Sequence, residues 1–448
     1  MTRKILFLAG PALALAGCAS YAPMPLGSGS DMLGKPDIAA LSVEAGKVER
    51  PWLKPVTIDL AQPLDGNAVA TLAVIANPDL RAARVRAGVG DAQVFAARLL
   101  PDPTLSMGVS KVITGPDPLL DLASALGLDL NAIRTRGVCV AQARAAADQV
   151  RLDFAWSEWQ TAGKARIQLV RILGLERAAA LADATRDSAR SILDRTQRAA
   201  GRGDIAGDPV QAARLAAADA EDKARIAERD LAAARLELSR LIGLPPQTPL
   251  ALVAEPQSDV PLDPARLFAF ATANRTDIKA LEAGYASQEA AVHKAILDQF
   301  PSLGLTVNAG RDTSGNFTLG PAVDFTLPLW NRNRGGIAIE QATRAALKAE
   351  YDARLFQTRA EIAAAVSGIE IARKQRDAVL RDLPAAQRYA EASRRAATRG
   401  DLSLVTAESA EQALRDKQML LAQSQQDIAE QMIALELLTG ALREAWTQ

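Results

Sequence analysis

The sequence predicts a mainly helical fold with a smaller β part, built from one unit used twice. Three observations carry this. First, RAAGRGD runs from Arg198 to Asp204 and RAATRGD from Arg395 to Asp401, 197 positions apart. Behind the first, Val210, Ala217, Ala224, Leu231 and Leu238 recur every seven residues; behind the second, Ala407, Leu414, Leu421, Ile428 and Leu435 do the same at the same offset. The series close on Gly243 and Gly440, and a match of motif, phase and end point points to duplication. Second, aromatic residues are only 4% while apolar residues reach 49%. Alanine-rich, aromatic-poor chains suit long helices packed side by side better than a large aromatic core. Third, two stretches switch from helical spacing to strict alternation, the signature of strands.

The N-terminus reads as an address. Arg3 and Lys4 precede an apolar run, Ile5 to Leu15, long enough for a signal-peptide core and too short to span a bilayer. It ends in Leu15-Ala16-Gly17-Cys18, which resembles the lipobox of bacterial lipoproteins. That resemblance implies a signal peptide over 1–17 and a mature chain acylated at Cys18. Ala19 follows where an aspartate would often signal retention at the inner membrane, so the anchor is expected in the outer membrane. Residues 18–63, with many Pro and Gly, read as an anchored linker lying along a larger body. No later segment offers about 18 uninterrupted apolar residues, so no spanning helix is expected.

Each repeat, 64–243 and 264–440 with a linker at 244–263 between them and a tail at 441–448 after the second, then follows one order. A helix of about 35 residues comes first, near 65–99 and 264–299, with Asp263 as N-cap and Pro264 opening the second. A hairpin follows, about 102–131 and 302–327. In the second, Leu303, Leu305, Val307 and Ala309 alternate with Gly304, Thr306 and Asn308; after the turn-rich 312–316, Phe317, Leu319, Val323 and Phe325 alternate with Thr318, Gly320 and Asp324. The first copy is looser, with Leu105, Met107 and Val109, then Leu126, Leu128 and Leu130. One apolar and one small polar face over about ten residues fits a membrane barrel strand. A half-buried strand of a soluble sheet has the same pattern, but long helices bracket each hairpin and leave no strands for a sandwich. Four strands cannot close, and open edges are not tolerated in lipid, so closure requires several chains.

Very long helices, near 134–200 and 333–398, come next. Each spans roughly 100 Å if unbroken. Leu152, Trp156, Trp159, Gly163, Ile167 and Val170 form a stripe on the first, and Ile362, Val366, Ile369 and Ala372 on the second. Pro384 is expected to kink the second. The helices reach tips at about 201–208 and 399–403 and reverse. Asp208-Pro209-Val210-Gln211 reads as a capping box, and the returning helices pack by their heptads.

Lipobox, duplicated unit and four strands together resemble the TolC-like outer-membrane efflux proteins, over about 65–440. The most specific element is Leu327-Pro328-Leu329-Trp330-Asn331-Arg332-Asn333-Arg334-Gly335-Gly336, similar to the family's LPLF-like segment where barrel passes into helix. Its Asn-Arg-Asn-Arg-Gly version looks most like the heavy-metal-efflux branch; Leu130 to Gly137 is a weaker first copy. The resemblance implies a homotrimer with a 12-stranded outer-membrane barrel and a periplasmic α-barrel. It implies a periplasmic adaptor and an inner-membrane pump, of RND type, as partners. It also implies passive traffic, with metal cations favoured over drugs or secreted peptides. Pro328, Trp330, Arg332, Arg334 and Gly335 would mark the barrel–helix junction. Arg202, Gly203, Asp204, Asp208, Arg399, Gly400 and Asp401 would lie at the periplasmic entrance as gate or adaptor contacts, or serve only as turn-formers. Where relatives carry an Asp-Val-Leu-Asp run after the second tip, this chain has Thr406-Ala407-Glu408-Ser409, which puts an acidic gate in doubt.

Other functions find little support. Lys+Arg and Asp+Glu are both 52, leaving no basic footprint for nucleic acid. One histidine, His293, and two cysteines, Cys18 and Cys139, offer no metal cluster, and no phosphate loop or nucleophile elbow appears. No enzyme, cofactor or resident metal is therefore expected. A structural coiled-coil lipoprotein would explain the heptads but not the hairpins. Replacing Cys18 with Ser is expected to abolish acylation yet leave trimers on unboiled gels; complete loss of assembly would show that the anchor is needed to build the barrel.

Overall fold

The computed structural model describes residues 21–27, 37–114, 120–255 and 259–447. The signal peptide and Cys18 lie outside the described residues. The chain divides into two units, Met1–Asp37 and Ile38–Gln448. In the first, 21–27 is irregular and exposed. The second holds every element named below.

After α1 (Ile38–Lys47) come α2 (Gly66–Ala76) and α3 (Pro78–Arg98), where one helix of about 35 residues was expected. Pro78 disfavours helical backbone in the residue before it, and Asn77 is accordingly extended at ψ 123°. The Asn77 amide then caps α3 by accepting from the Leu80 N–H and donates to the Leu241 carbonyl at 2.8 Å. The second copy breaks at the equivalent place, between α6 (Pro264–Asn274) and α7 (Thr276–Leu297), with no proline. There Arg275 sits at ψ 121°. Its guanidinium donates to both Asp277 carboxylate oxygens, at 2.9 and 2.7 Å, and to the Leu438 carbonyl at 3.2 Å. Local stiffness makes one break and tertiary bonding the other.

Strands β1 (Thr104–Lys111), β2 (Leu120–Asp129), β3 (Leu303–Arg311) and β4 (Phe317–Phe325) form one antiparallel sheet in sequence order. The β2–β3 pairing, Leu126 with Val307 and Leu128 with Leu305, joins the two repeats. Paired residues share a face. One face therefore carries Leu105, Met107 and Val109, then Leu122 and Leu126, Leu305 and Val307, and Leu319 and Val323. The other carries Ser106, Gly108, Ala123, Ala125, Gly127, Thr306, Asn308, Thr318 and Gly320. The apolar face is uncovered: Met107 is 80% exposed and Leu319 79%.

Beyond the sheet run α4 (Leu130–Gly201) and α8 (Arg334–Arg399), returned by α5 (Asp208–Leu241) and α9 (Leu404–Thr439). Helix α8 passes through Pro384, which forfeits one backbone bond without ending it. Heptad residues Ala217, Ala224 and Leu238, and Ala407, Ile428 and Leu435, are buried.

The short first helix of each repeat seals against its long pair. In the first core, Val69 and Leu72 of α2 meet Leu169 and Ile172 of α4 and Leu238 of α5. In the second, Leu267 and Ala271 of α6 meet Ile362, Val366 and Ile369 of α8 and Ile428 of α9. The predicted stripe on α8 is this face. On α4 the buried face instead runs through Trp159, Ala162, Ala165, Leu169 and Ile172. Ile167 and Val170 are only half-buried, because α4 is packed by α2, α5 and α9 together. The segment expected to lie along the surface enters the first core in part: Ala45 and Ile58 are buried, and Arg50 binds Glu158 of α4 in two hydrogen bonds of 2.7 and 3.0 Å. The tail similarly folds a 3-10 turn, Arg443–Thr447, that places Trp446 in the second core.

The repeats touch where α4 crosses α9. A Cβ added to Gly163 would lie 2.2 Å from Leu437 Cδ2, and the Trp159 indole N–H donates to the Leu437 carbonyl at 3.3 Å. A helix-interior Gly→Ala change ordinarily stabilises by about 0.5–1 kcal/mol. At Gly163 the overlap should reverse the sign, so Gly163→Ala is expected to lower the unfolding temperature, by an amount that corresponds to about 1–3 kcal/mol of overpacking. Thermal unfolding by circular dichroism checks this.

Candidate functional site: helical tips and strand–helix junction

The duplicated heptamers fold into duplicate turns. Gly203 has φ +81° and Gly400 φ +82°, left-handed values that glycine adopts without strain. In the first turn the Asp204 N–H reaches back to the Ala199 carbonyl; in the second Asp401 reaches Ala396, each at 2.9 Å. This double reach is the Schellman closure of a helix end. Arg202 Nε then donates to Asp204 Oδ2, and Arg399 Nε to Asp401 Oδ2, again each at 2.9 Å. All four side chains are more than half exposed, so each pair adds little stability. Each aspartate is engaged by the arginine of its own turn.

The returning helices start differently. Asp208 is the first residue of α5 rather than its cap: Gly207 holds that position without a side-chain bond, and the Gln211 backbone N–H bonds Gly207 O. The Asp208 carboxylate still faces the positive end of the helix. In the second tip Ser403 caps α9 by accepting from the Thr406 N–H at 3.1 Å. Beyond it, Glu408 is paired with Arg415, and the Ser409 hydroxyl donates to the Val405 carbonyl. The two tips lie together, with Ile205 and Pro209 of one and Val405 and Ser409 of the other lining a single groove.

The junction is built where sheet passes into α8. Arg332 and Asn333 both have left-handed backbone, φ +47° and +49°, which is uncommon without glycine. Arg332 Nε donates to the Pro328 carbonyl at 3.3 Å, and Asn333 Nδ2 to the Ala295 carbonyl at 2.8 Å near the end of α7. A side chain on Gly336 would strike the Asn333 amide, at 2.5 Å. Arg334 opens α8, Gly335 has open space, and Trp330 is 86% exposed. The weaker first-copy segment does the same work with arginines. Arg134 donates to the Leu297 carbonyl at 3.2 Å, and Arg136 Nε to the Arg98 carbonyl at 2.9 Å. Cations and amides thus meet the negative ends of α3 and α7. Asn333 and Gly336 belong to the motif but are not among the expected junction residues; the φ values and the facing carbonyls reveal their part.

A third assembly had no signal in the sequence. Arg166 of α4 donates to Glu436 of α9 at 2.6 Å and to Glu255 at 2.9 Å, and Arg443 donates to Glu436 at 2.6 Å. Burial alone would lower the Arg166 pKa, but Glu436 and Glu255 outweigh it and raise it. Lower down, Arg376 holds the Asp259 carboxyl below its ordinary range through hydrogen bonds. His293 is exposed and Cys139 half-buried. Among the described residues no group of three or more His, Cys, Asp or Glu could hold a metal, and no helix is long and apolar enough to cross a membrane.

The fold is a four-stranded meander continued by two long helical hairpins. Residues 268–441 match the model of the family described as Outer membrane efflux protein, so the second repeat carries that family's signature, and the family is one of channels rather than enzymes. The CmeC outer membrane channel of Campylobacter jejuni superposes with a TM-score of 0.71 at 15% identity, covering 94% of each chain. CusC, a protein that undergoes conformational changes accompanying folding and transmembrane channel formation, gives 0.69 at 17% identity over 88% of this chain and 97% of its own. VceC of Vibrio cholerae gives 0.69 at 18% over 84% and 96%. At these identities the likeness establishes the fold: long helices and four antiparallel strands, as in TolC-like channels. No curated protein sequence matches the chain.

Removing Glu436 as Ala takes from the buried Arg166 and the half-buried Arg443 the nearer of their two carboxylates, leaving Glu255 at 2.9 and 3.9 Å. Loss of one member of a buried ion pair typically costs about 3–5 kcal/mol, so Glu436→Ala should markedly lower the unfolding temperature, read by calorimetry. An unchanged transition would mean that the cluster is hydrated.

Proposed function

We propose that three copies of this chain form the outer-membrane exit duct of a tripartite efflux system. The observation that carries this is the sheet: among the described residues β1 and β4 have no outer neighbours, and one face is apolar and uncovered. Unpaired backbone is not tolerated in hydrocarbon, so such a sheet needs further copies to close. Three give twelve strands. The helices then extend into the periplasm, and the tips, with Arg202, Gly203, Asp204, Asp208, Arg399, Gly400 and Asp401, form the entrance where an adaptor docks. Pro328, Trp330, Arg332, Arg334 and Gly335 stand at the membrane boundary, and acylation at Cys18 adds an anchor. The inner-membrane pump, of RND type, supplies the energy.

Metal cations are the favoured cargo, supported by the Asn331-Arg332-Asn333-Arg334-Gly335 segment. Scarcity of His and Cys does not oppose this, because a water-filled duct need not coordinate what passes. Acids near the second tip are tied down, as Glu408 is by Arg415, which supports an entrance without a free carboxylate ring. The test is reconstitution of the full chain in planar bilayers, with stepwise conductance and an SDS-resistant trimer expected. Deletion of the gene should sensitise cells to metal salts more than to drugs. Absence of both conductance and trimer would overturn the duct; sensitisation to drugs alone would overturn the metal assignment.

A further inference from the structure

The apolar row of the sheet ends in two cations. Register places Lys111 opposite Leu120, and Arg311 between Leu122 and Phe317. Both continue the row of Leu105, Met107 and Val109 and of Leu305 and Val307, not the small polar row behind it. Both also stand at the hairpin ends of their strands, away from the helices. A Lys or Arg at mid-depth on a lipid-facing barrel wall costs about 2–4 kcal/mol, and nearly nothing at the interface. Strand β3, Leu303–Arg311, has 9 residues; at about 3.4 Å per residue and a tilt of about 40° it rises roughly 20–25 Å. That is the height of an apolar band, so Arg311 falls at the headgroup level opposite the one marked by Trp330.

Among the described residues neither charge has an ion-pair partner. Lys111 makes no ion pair among the described residues. Arg311 has the Phe317 ring 5.7 Å away, and its Nε is buried without a hydrogen-bond acceptor. Two carboxylates lie near. Asp121 pairs in register with Ser110, which puts it on the polar row, and it accepts from the Ser110 hydroxyl at 3.0 Å. Asp312 is consumed by its turn, accepting from the Ser314 N–H and from the backbone and side-chain nitrogens of Asn316 at 2.8–3.0 Å. Among the described residues, what remains is a positive shelf bordering an apolar wall. Guanidinium and ammonium groups in that setting suit phosphate oxygens.

We propose that Lys111 and Arg311 bind the phosphates of anionic lipid headgroups in the outer leaflet. This rests on reading the sheet as part of a membrane barrel. The test uses full-length trimer in phosphatidylcholine nanodiscs doped with diphosphorylated lipid A, with retained lipid counted by native mass spectrometry. The wild type is expected to retain it. The double variant Lys111→Gln/Arg311→Gln should retain roughly thirtyfold less, since each of the two basic residues near an anionic surface is worth about 1 kcal/mol. Lys111→Arg/Arg311→Lys should restore retention. A second measurement needs no variant: wild type should retain dephosphorylated lipid A far less well than the diphosphorylated form. Equal retention of the two lipids, or by the Gln variant, overturns the proposal, as does displacement by excess inorganic phosphate, which would indicate a free-phosphate site. Failure of the wild type to insert would instead overturn the duct itself.

Discussion

Backbone hydrogen bonding at the sheet edges governs the rest of the molecule. A strand at an edge exposes a row of N–H and C=O groups, and β1 and β4 each expose one. The side-chain pattern adds to the constraint, since the larger apolar residues lie uncovered on a single face. A soluble fold would bury that face against a helix. Here the helices instead leave the sheet end-on, with α4 beginning at Leu130 directly after β2. Strand and helix share one continuous chain path, and among the described residues nothing pairs with the two sheet edges.

The two repeats meet the same requirements with different chemistry. Where α2 gives way to α3 the cause is Pro78; where α6 gives way to α7 it is the buried Arg275–Asp277 pair. Gly207 precedes α5, while Ser403 caps α9. The first core is covered by a segment that precedes the repeat, bringing Ala45 and Ile58, and the second by one that follows it, bringing Trp446. The two halves share a geometry and differ in the means of holding it. The tip turns are the exception, alike in glycine φ, in backbone closure and in their ion pairs.

These differences explain how much could be read from the residues alone. The sheet, the long helices and the tips were legible because period, glycine and proline act locally. Both 35-residue helices proved to be pairs. The Pro78 break had a local signal, whereas nothing around Arg275 distinguishes it from a surface arginine until Leu438 is seen opposite. The stripe on α8 faces one core and was legible, but α4 is packed from several sides, which blurs a single stripe. The Asp208 box failed because glycine preceded it in the cap position. In the Arg166–Glu436–Arg443 cluster, Arg166 lies 270 positions from Glu436, and no spacing rule reaches that far.

The second face of the sheet has a consequence for transport. Its side chains are nearly all short: Ser106, Gly108, Ala123, Ala125, Gly127, Thr306, Gly310, Thr318, Gly320 and Ala322. In a closed barrel this face lines the bore. Short side chains set its width close to the backbone limit, and hydroxyls and exposed peptide groups keep it wetted. A solute there would travel with its hydration shell intact and meet little to sort it by size, while Asp121, Asp129 and Asp324 on the same face would favour cations over anions. Such a bore would be a low-resistance element in series with whatever precedes it, and discrimination by size would have to be complete before solutes arrive.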